Sequence, residues 1–287
     1  MLKKYSLQIK MRKLLENDIL NINYENLSDE LFNEFSKLAY QKVGIYLKPT
    51  KKILVANRLR KRLKALNLKS YEEYYKYLIL NPSEITEFIN SISTNETYFF
   101  RNNNQLEVLK NKILPILFKK KEKVRIWSAG CSTGEEPYSI AIICDIIKVL
   151  YKVEIISTDI NTKVLEEAKK AIYNERKLRG TNKEILESYF IKVDEENYLL
   201  KNNIKNSVNF LQHNLLLDNY FNDIDVIFCR NVMIYFDKDI QKKVVDKFFQ
   251  TLNKGGFLFL GHAETLYVIK TDFKYLKIDD CSVYYKE

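Results

Sequence analysis

Beyond Gln105 the chain alternates between short apolar runs and amphipathic blocks of helical period, and this alternation narrows the fold more than any other feature. Residues 124–128 read as a strand, 137–149 as a helix, 153–158 as a strand and 162–173 as a helix. Strands joined by covering helices build a parallel sheet, because two parallel neighbours need a long crossover between them. The rhythm breaks at 189–211, an Asn- and Lys-rich stretch with two short strand-like runs, 198–200 and 208–211. It resumes with a strand at 226–229, a helix at 238–252, a Lys254-Gly255-Gly256 turn, and strands at 257–261 and 282–286. An insertion into an α/β domain is expected at the break.

The first third reads differently. From 27 to 92 the apolar spacing is helical, as in Val55, Leu59, Leu63 and Leu66, and no alternating pattern competes with it. Ser28 before Asp29 and Glu30 is an N-cap with acidic first-turn residues. Asn81-Pro82-Ser83 is a turn signal before a short helix at 84–92, and the polar residues from Ser93 onward read as a linker, 93–105. The expected organisation of the 287 residues is an extension at 1–26, a helical domain at 27–92, the linker, and an α/β domain at 106–287 with 189–211 inserted. Residues 1–95 carry 17 Lys and Arg against 10 Asp and Glu, so +7 of the formal +10 lies there. Between Glu34 and Glu72 there is no acidic residue. Arg58, Lys61 and Arg62 stand at i, i+3 and i+4 and share one helix face, which is expected to dock an acidic partner.

Composition removes several classes of protein. With 46% hydrophobic residues, 7 Gly and 4 Pro, the chain is neither collagen-like nor disordered. The apolar run near 140–150 is interrupted by Cys144, Asp145 and Lys148, short of the ~20 residues a bilayer span needs. No membrane insertion is expected, and the absence of a secretory pattern at the N-terminus makes the expected location cytoplasmic. Cys131, Cys144, Cys229 and Cys281 form no CxxC pair, and His213 and His262 are the only histidines. Metal hydrolysis, thiol redox chemistry and Cys/His proteolysis are thereby demoted, and no metal is expected.

Five of the seven glycines fall at two places, and the first place carries the chemistry. Gly130-Cys131-Ser132-Thr133-Gly134 lies between a strand and a helix, where backbone turns tightly and approaches a ligand closely. The next strand ends at Asp159, where a carboxylate accepts hydrogen bonds from ribose hydroxyls. The loop is neither GxGxxG nor a Walker A sequence, and Glu135 and Glu136 would repel a pyrophosphate at the helix N-terminus. A cationic nucleoside without phosphates suits such a loop, and S-adenosylmethionine is one.

Several blocks, in order, now carry a resemblance: Asn57-Arg58-Leu59; Thr94-Asn95-Glu96-Thr97-Tyr98-Phe99-Phe100-Arg101; Ser128-Ala129-Gly130 through Pro137-Tyr138-Ser139; Ser157-Thr158-Asp159-Ile160; Phe228-Cys229-Arg230-Asn231-Val232-Met233-Ile234-Tyr235-Phe236; and Gly261-His262-Ala263-Glu264. The chain resembles the CheR family, the chemotaxis receptor protein-glutamate O-methyltransferases. The resemblance implies a small all-α domain, then a Rossmann-like α/β S-adenosylmethionine-dependent methyltransferase domain with a small antiparallel β subdomain inserted. By the family pattern the cofactor meets Asn95, Thr97, Arg101, Glu135, Asp159, Asn214, Leu215, Asn231 and Val232, leaving as S-adenosylhomocysteine. Arg101 and Tyr235 are expected to orient the acceptor carboxylate, and Arg58, Lys61 and Arg62 to dock the helical bundle of a methyl-accepting chemotaxis receptor. His262 is assigned no role as a base. The enzyme is expected to be a monomer with no nucleic-acid partner, the rival readings being methylation of another protein or of nucleic acid. The loop at 192–198 is short, acidic and without glycine, so capture of a receptor tail peptide by strand addition is not expected.

Overall fold

The computed structural model describes residues 26–287, so nearly all of the expected extension at 1–26 lies outside the described residues. Among the described residues no helix is long and apolar enough to cross a membrane. The chain divides into two units, residues 26–38 with 47–92, and residues 39–46 with 93–287.

The first unit is built on helices α1 (Asp29–Val43), α2 (Lys52–Ala65), α3 (Tyr71–Leu80) and α4 (Glu84–Ile92). The Ser28 hydroxyl accepts the Leu31 N–H at 3.1 Å, which is the expected cap. Phe35 stacks on Tyr74 and Phe88 with ring centroids 5.9 and 5.7 Å apart, and Val55, Leu59 and Leu63 close the core. The expected basic docking face needs correction here. Arg62 donates from Nε and Nη2 to the two oxygens of buried Glu84, at 2.9 and 2.8 Å, and meets Glu87 at 3.2 Å. Arg58 donates to the carbonyl of Ile92. Only Lys61 of the three is exposed. The basic run contains no acids of its own, but α4 brings two of them against it.

The second unit is a seven-stranded sheet in the order β6-β2-β1-β7-β8-β10-β9, where β1 is Val124–Ala129, β2 Val153–Asp159, β6 Val208–Gln212, β7 Ile224–Cys229, β8 Leu252–Leu260, β9 Lys274–Ile278 and β10 Cys281–Tyr285. From β6 to β8 the neighbours run parallel, with Ile126 opposite Ile155 and Val226, and β10 lies antiparallel between β8 and β9. Both faces are covered, as parallel sheets require. Ile126, Ile155 and Phe228 pack on one face with α7 (Glu135–Ile146), and Trp127, Ile227 and Leu258 on the other with α12 (Lys238–Thr251). The linker leads into α5 (Asn103–Val108), a π turn (Leu109–Ile113) and α6 (Leu114–Phe118), and the wider turn precedes Pro115, whose ring cannot continue an α-helical ladder.

The insertion differs from expectation in its bounds. Its three-stranded antiparallel sheet, in the order β3-β5-β4, uses β3 (Ile172–Asn174), β4 (Phe190–Lys192) and β5 (Asn197–Leu200). Short helices α9 (Glu175–Leu178), α10 (Lys183–Tyr189) and α11 (Asn202–Lys205) accompany it, and α8 (Thr162–Lys170) precedes it. The run at 208–211, expected inside the insertion, is strand β6 of the main sheet, because β2 offers it a free parallel edge.

Next to β6, the buried ring of His213 packs on Trp127 and Phe221, with centroids 5.4 Å away in each case. Burial lowers its pKa, Asp218 opposes that, and Lys247 adds to it. The unfolded chain therefore binds a proton that the folded chain does not, between the ordinary value of about 6.5 and the lower folded value. Stability is unaffected above that window and is lost as pH falls into it. The denaturation midpoint is expected to drop between pH 7.5 and 5.5 by more in the wild type than in His213→Phe, and equal drops would refute the assignment.

Candidate active site

The site lies at the carboxyl ends of the parallel strands, where open α/β sheets place their ligands. After β1 the chain turns at Gly130, whose φ of +87° and close neighbour both exclude a side chain: an added Cβ would lie 2.3 Å from Val232 Cγ2. The N–H groups of Gly130 and Cys131 donate to the Thr158 carbonyl at 2.7 and 2.9 Å, which ties this loop to the end of β2. Gly134, at φ +91°, then caps α7.

Three carboxylates surround the loop, Glu135 and Asp159 buried and Glu136 partly exposed, and they are compensated unequally. Glu135, fully buried, accepts from the Thr133 hydroxyl at 2.7 Å and from Lys177 Nζ at 2.9 Å. Glu136 accepts from the Ser128 hydroxyl at 2.7 Å and meets Arg230 at 3.3 Å. Burial raises the Glu136 carboxyl above the usual range while Arg230 and Ser128 oppose it, and burial likewise lowers Arg230. Asp159 is held instead by backbone donors, Ser132 N–H at 2.8 Å and Asn161 N–H at 2.9 Å, one to each oxygen. Burial raises its carboxyl, and the N–H groups of Asn161, Ser132 and Ile160 pull it back. A carboxylate has about four lone-pair sites, so Asp159 keeps acceptor capacity for ribose hydroxyls. Three carboxylates against Lys177 and Arg230 leave the loop with an excess negative charge. That arrangement fits a cationic nucleoside such as S-adenosylmethionine and opposes a polyphosphate. The Cys131 thiol is pushed up by burial and by Asp159, Glu136 and Glu135, which leaves it a poor nucleophile.

The linker joins the same loop. The Asn95 carbonyl accepts from Ser132 Oγ at 3.0 Å, and the Thr97 carbonyl from Lys177 Nζ at 3.2 Å. Arg101 donates from Nη1 to the Glu96 carbonyl at 3.0 Å, and its own carbonyl accepts from Arg230. Phe100 and Asn102 have φ of +56° and +54°, conformations that L side chains adopt at a cost. After β7, Asn231 turns at φ +60° and Val232 closes on Gly130. The Tyr235 hydroxyl donates to the Thr94 carbonyl at 3.4 Å, so the two residues expected to orient an acceptor, Arg101 and Tyr235, bond to carbonyls two residues apart.

Asn214 and Leu215, the other expected contacts, follow β6. The Asn214 amide closes its own turn, its oxygen accepting from Leu216 N–H at 3.0 Å and its nitrogen donating to the Lys42 carbonyl at 2.8 Å. Leu215 is buried among the residues around Trp127. The Asn214 side chain thus forms its turn, a common use of asparagine. Sequence reading also passed over Glu264. One of its oxygens accepts from Asn231 N–H at 2.8 Å and from Gly261 N–H at 2.6 Å, binding the loops after β7 and β8 together. The signal was present in the Gly261-His262-Ala263-Glu264 block, where a lone acid follows a strand-end glycine.

Residues 30–93 match the family described as CheR methyltransferase, all-alpha domain, and residues 95–281 match CheR methyltransferase, SAM binding domain. A chemotaxis protein methyltransferase of Borreliella burgdorferi is 38% identical over 259 residues, covering 86% of this chain and 91% of its own. Chemotaxis protein methyltransferase 2 of Vibrio cholerae is 37% identical over 270 residues, covering 91% and 94%. The chemotaxis protein methyltransferase of Escherichia coli is 37% identical over 247 residues, covering 83% and 85%. With matches to both domains and relatives this similar over most of its length, the chain belongs to the CheR methyltransferase family.

Proposed function

We propose that this enzyme methylates glutamate side chains of methyl-accepting chemotaxis receptors, forming glutamyl methyl esters. The observation that carries the cofactor half of this reading is Asp159, held by backbone N–H groups rather than by a cation, beside a loop too acidic for phosphates. The acceptor half rests on the relatives, which are named chemotaxis protein methyltransferases. When bound, S-adenosylmethionine supplies a methyl group on a sulfonium.

The remaining work belongs to the chain. A glutamate has an ordinary pKa of about 4.3, so at neutral pH the acceptor is already anionic and needs no base. Orientation and exclusion of water are then sufficient sources of rate. Arg101 uses one of five guanidinium donors on Glu96, and the others are suited to hold a carboxylate. Tyr235, on the 3-10 turn Met233–Tyr235, lines the same linker. On this reading receptor docking falls to exposed cations of α2 such as Lys61 and Lys64, since Arg58 and Arg62 are engaged inside the unit.

Incubation with methyl-labelled S-adenosylmethionine and a receptor cytoplasmic fragment should transfer label that mild base releases as methanol. Base-stable label would indicate N-methylation and refute the ester. Asp159→Ala is expected to weaken S-adenosylhomocysteine binding by about 1–3 kcal/mol, the cost of leaving polar partners unsatisfied. Unchanged calorimetric affinity in a folded variant would remove Asp159 from the site.

A further inference from the structure

Four consecutive linker residues lie against the insertion. Glu96 pairs with Arg176, the Tyr98 ring lies 3.9 Å from the Arg179 guanidinium carbon, and the Phe99 N–H donates to the Lys177 carbonyl at 2.9 Å. An added Cβ at Gly180 would lie 2.1 Å from the Phe99 carbonyl oxygen, so that approach depends on glycine. Between them, Thr97 is met by the side chain of Lys177. The Glu96–Arg176 pair is exposed and holds the linker only weakly. Lys177 turns inward.

Its ammonium has three protons and three acceptors, each from a different part of the site: Glu135 Oε1 at 2.9 Å, Thr133 Oγ1 at 3.1 Å and the Thr97 carbonyl at 3.2 Å. The Asn174 side chain accepts the Lys177 N–H at 3.2 Å and so fixes the backbone from which the side chain reaches. Tyr173, from β3, adds a hydrogen bond to the Thr133 carbonyl at 2.8 Å. Glu135 is fully buried, and removing the cation from a buried pair leaves the other charge without compensation. The compensation of Glu135 therefore depends on a residue of the insertion.

We propose that Lys177 is a positioning residue of the cofactor site, pairing with the buried Glu135 carboxylate and fixing the Thr97 carbonyl against the glycine loop, so that the inserted subdomain builds part of the pocket it borders. The proposal rests on the reading of this loop as the S-adenosylmethionine site. It assigns the insertion a role in cofactor binding that is separate from any contact with a receptor.

The test is calorimetric titration of the full chain with S-adenosylhomocysteine. Lys177→Met should bind about tenfold to a hundredfold more weakly, the cost of losing hydrogen bonds to charged groups. Lys177→Arg should recover most of the wild-type affinity. Introduced into Glu135→Gln, Lys177→Met should cost less than it does in the wild type, because the charge that Lys177 pairs with is then absent. A folded Lys177→Met variant with wild-type affinity would overturn the proposal, as would a lowered melting temperature with binding unchanged. If Lys177→Met does not fold, Lys177→Gln carries the same comparison. Failure of the wild type itself to bind would instead overturn the assignment of the cofactor site.

Discussion

Gly130→Ala is expected to weaken S-adenosylhomocysteine binding by on the order of a hundredfold or more. Two costs coincide at that position. An L side chain at φ +87° costs about 1–2 kcal/mol, and the methyl group would overlap Val232 Cγ2 at 2.3 Å, a kind of overpacking that costs about 1–3 kcal/mol. Relief requires the glycine loop and the Asn231–Val232 turn to separate, and these are two walls of the candidate site. The same loop positions Ser132 N–H on Asp159, so its displacement also disturbs the carboxylate. Calorimetry with the purified variant is the measurement. A folded Gly130→Ala variant that keeps wild-type affinity would mean that the cofactor does not depend on this approach.

Glu84→Ala should be the most damaging substitution in the helical unit. The Glu84 carboxylate is 5% exposed and accepts two bonds from Arg62 and one, at 3.0 Å, from the Tyr74 hydroxyl. Removing one partner of a buried pair costs about 3–5 kcal/mol, because the other charge stays buried without compensation. Glu87 keeps a contact with Arg62, which places the expected loss near the lower end. A unit of this size has little stability to spare, so even about 3 kcal/mol should make it fray. Limited proteolysis within residues 27–92, with loss of helical circular dichroism, reports the outcome. Glu84→Gln keeps acceptor oxygen for Tyr74 and should do less harm, and an equal loss in both variants would mean that charge is not the cause.

The features legible in the sequence were those that local chemistry dictates. Helix α8 begins where Asn161 can accept the Lys163 and Val164 N–H groups, and the glycine loop stood out because glycine is scarce in this chain. Asp159 was legible because it closes a strand-like run, Val153–Asp159, one helix beyond the glycine loop. Harder to read were pairings that depend on what lies across the sheet. The Val208–Gln212 run has the same short alternating character as the strands of the insertion, and only the free edge of β2 decides its place. Strand β9 was missed because Lys274, Tyr275, Leu276 and Lys277 are all exposed and carry no buried stripe. The Arg62–Glu84 pair joins residues 22 positions apart on different helices, so an acid-free run looked like an open surface. Lys177 was one cation among 47 Lys and Arg, with nothing in its immediate surroundings to mark it.

Strand β10 lies between β8 and β9 and follows every other strand of the sheet in sequence. In any folding intermediate that lacks β10, β8 therefore presents one open hydrogen-bonding edge. An unpaired edge on a nascent domain is a template for association with other chains. The hairpin of β9 and β10, closed by a turn with Asp279 at φ +51°, can form locally and then dock as a unit, which shortens the exposure to a single late step. Substitutions that weaken the hairpin of β9 and β10 should consequently raise aggregation on refolding more than substitutions on the exposed faces of the helices.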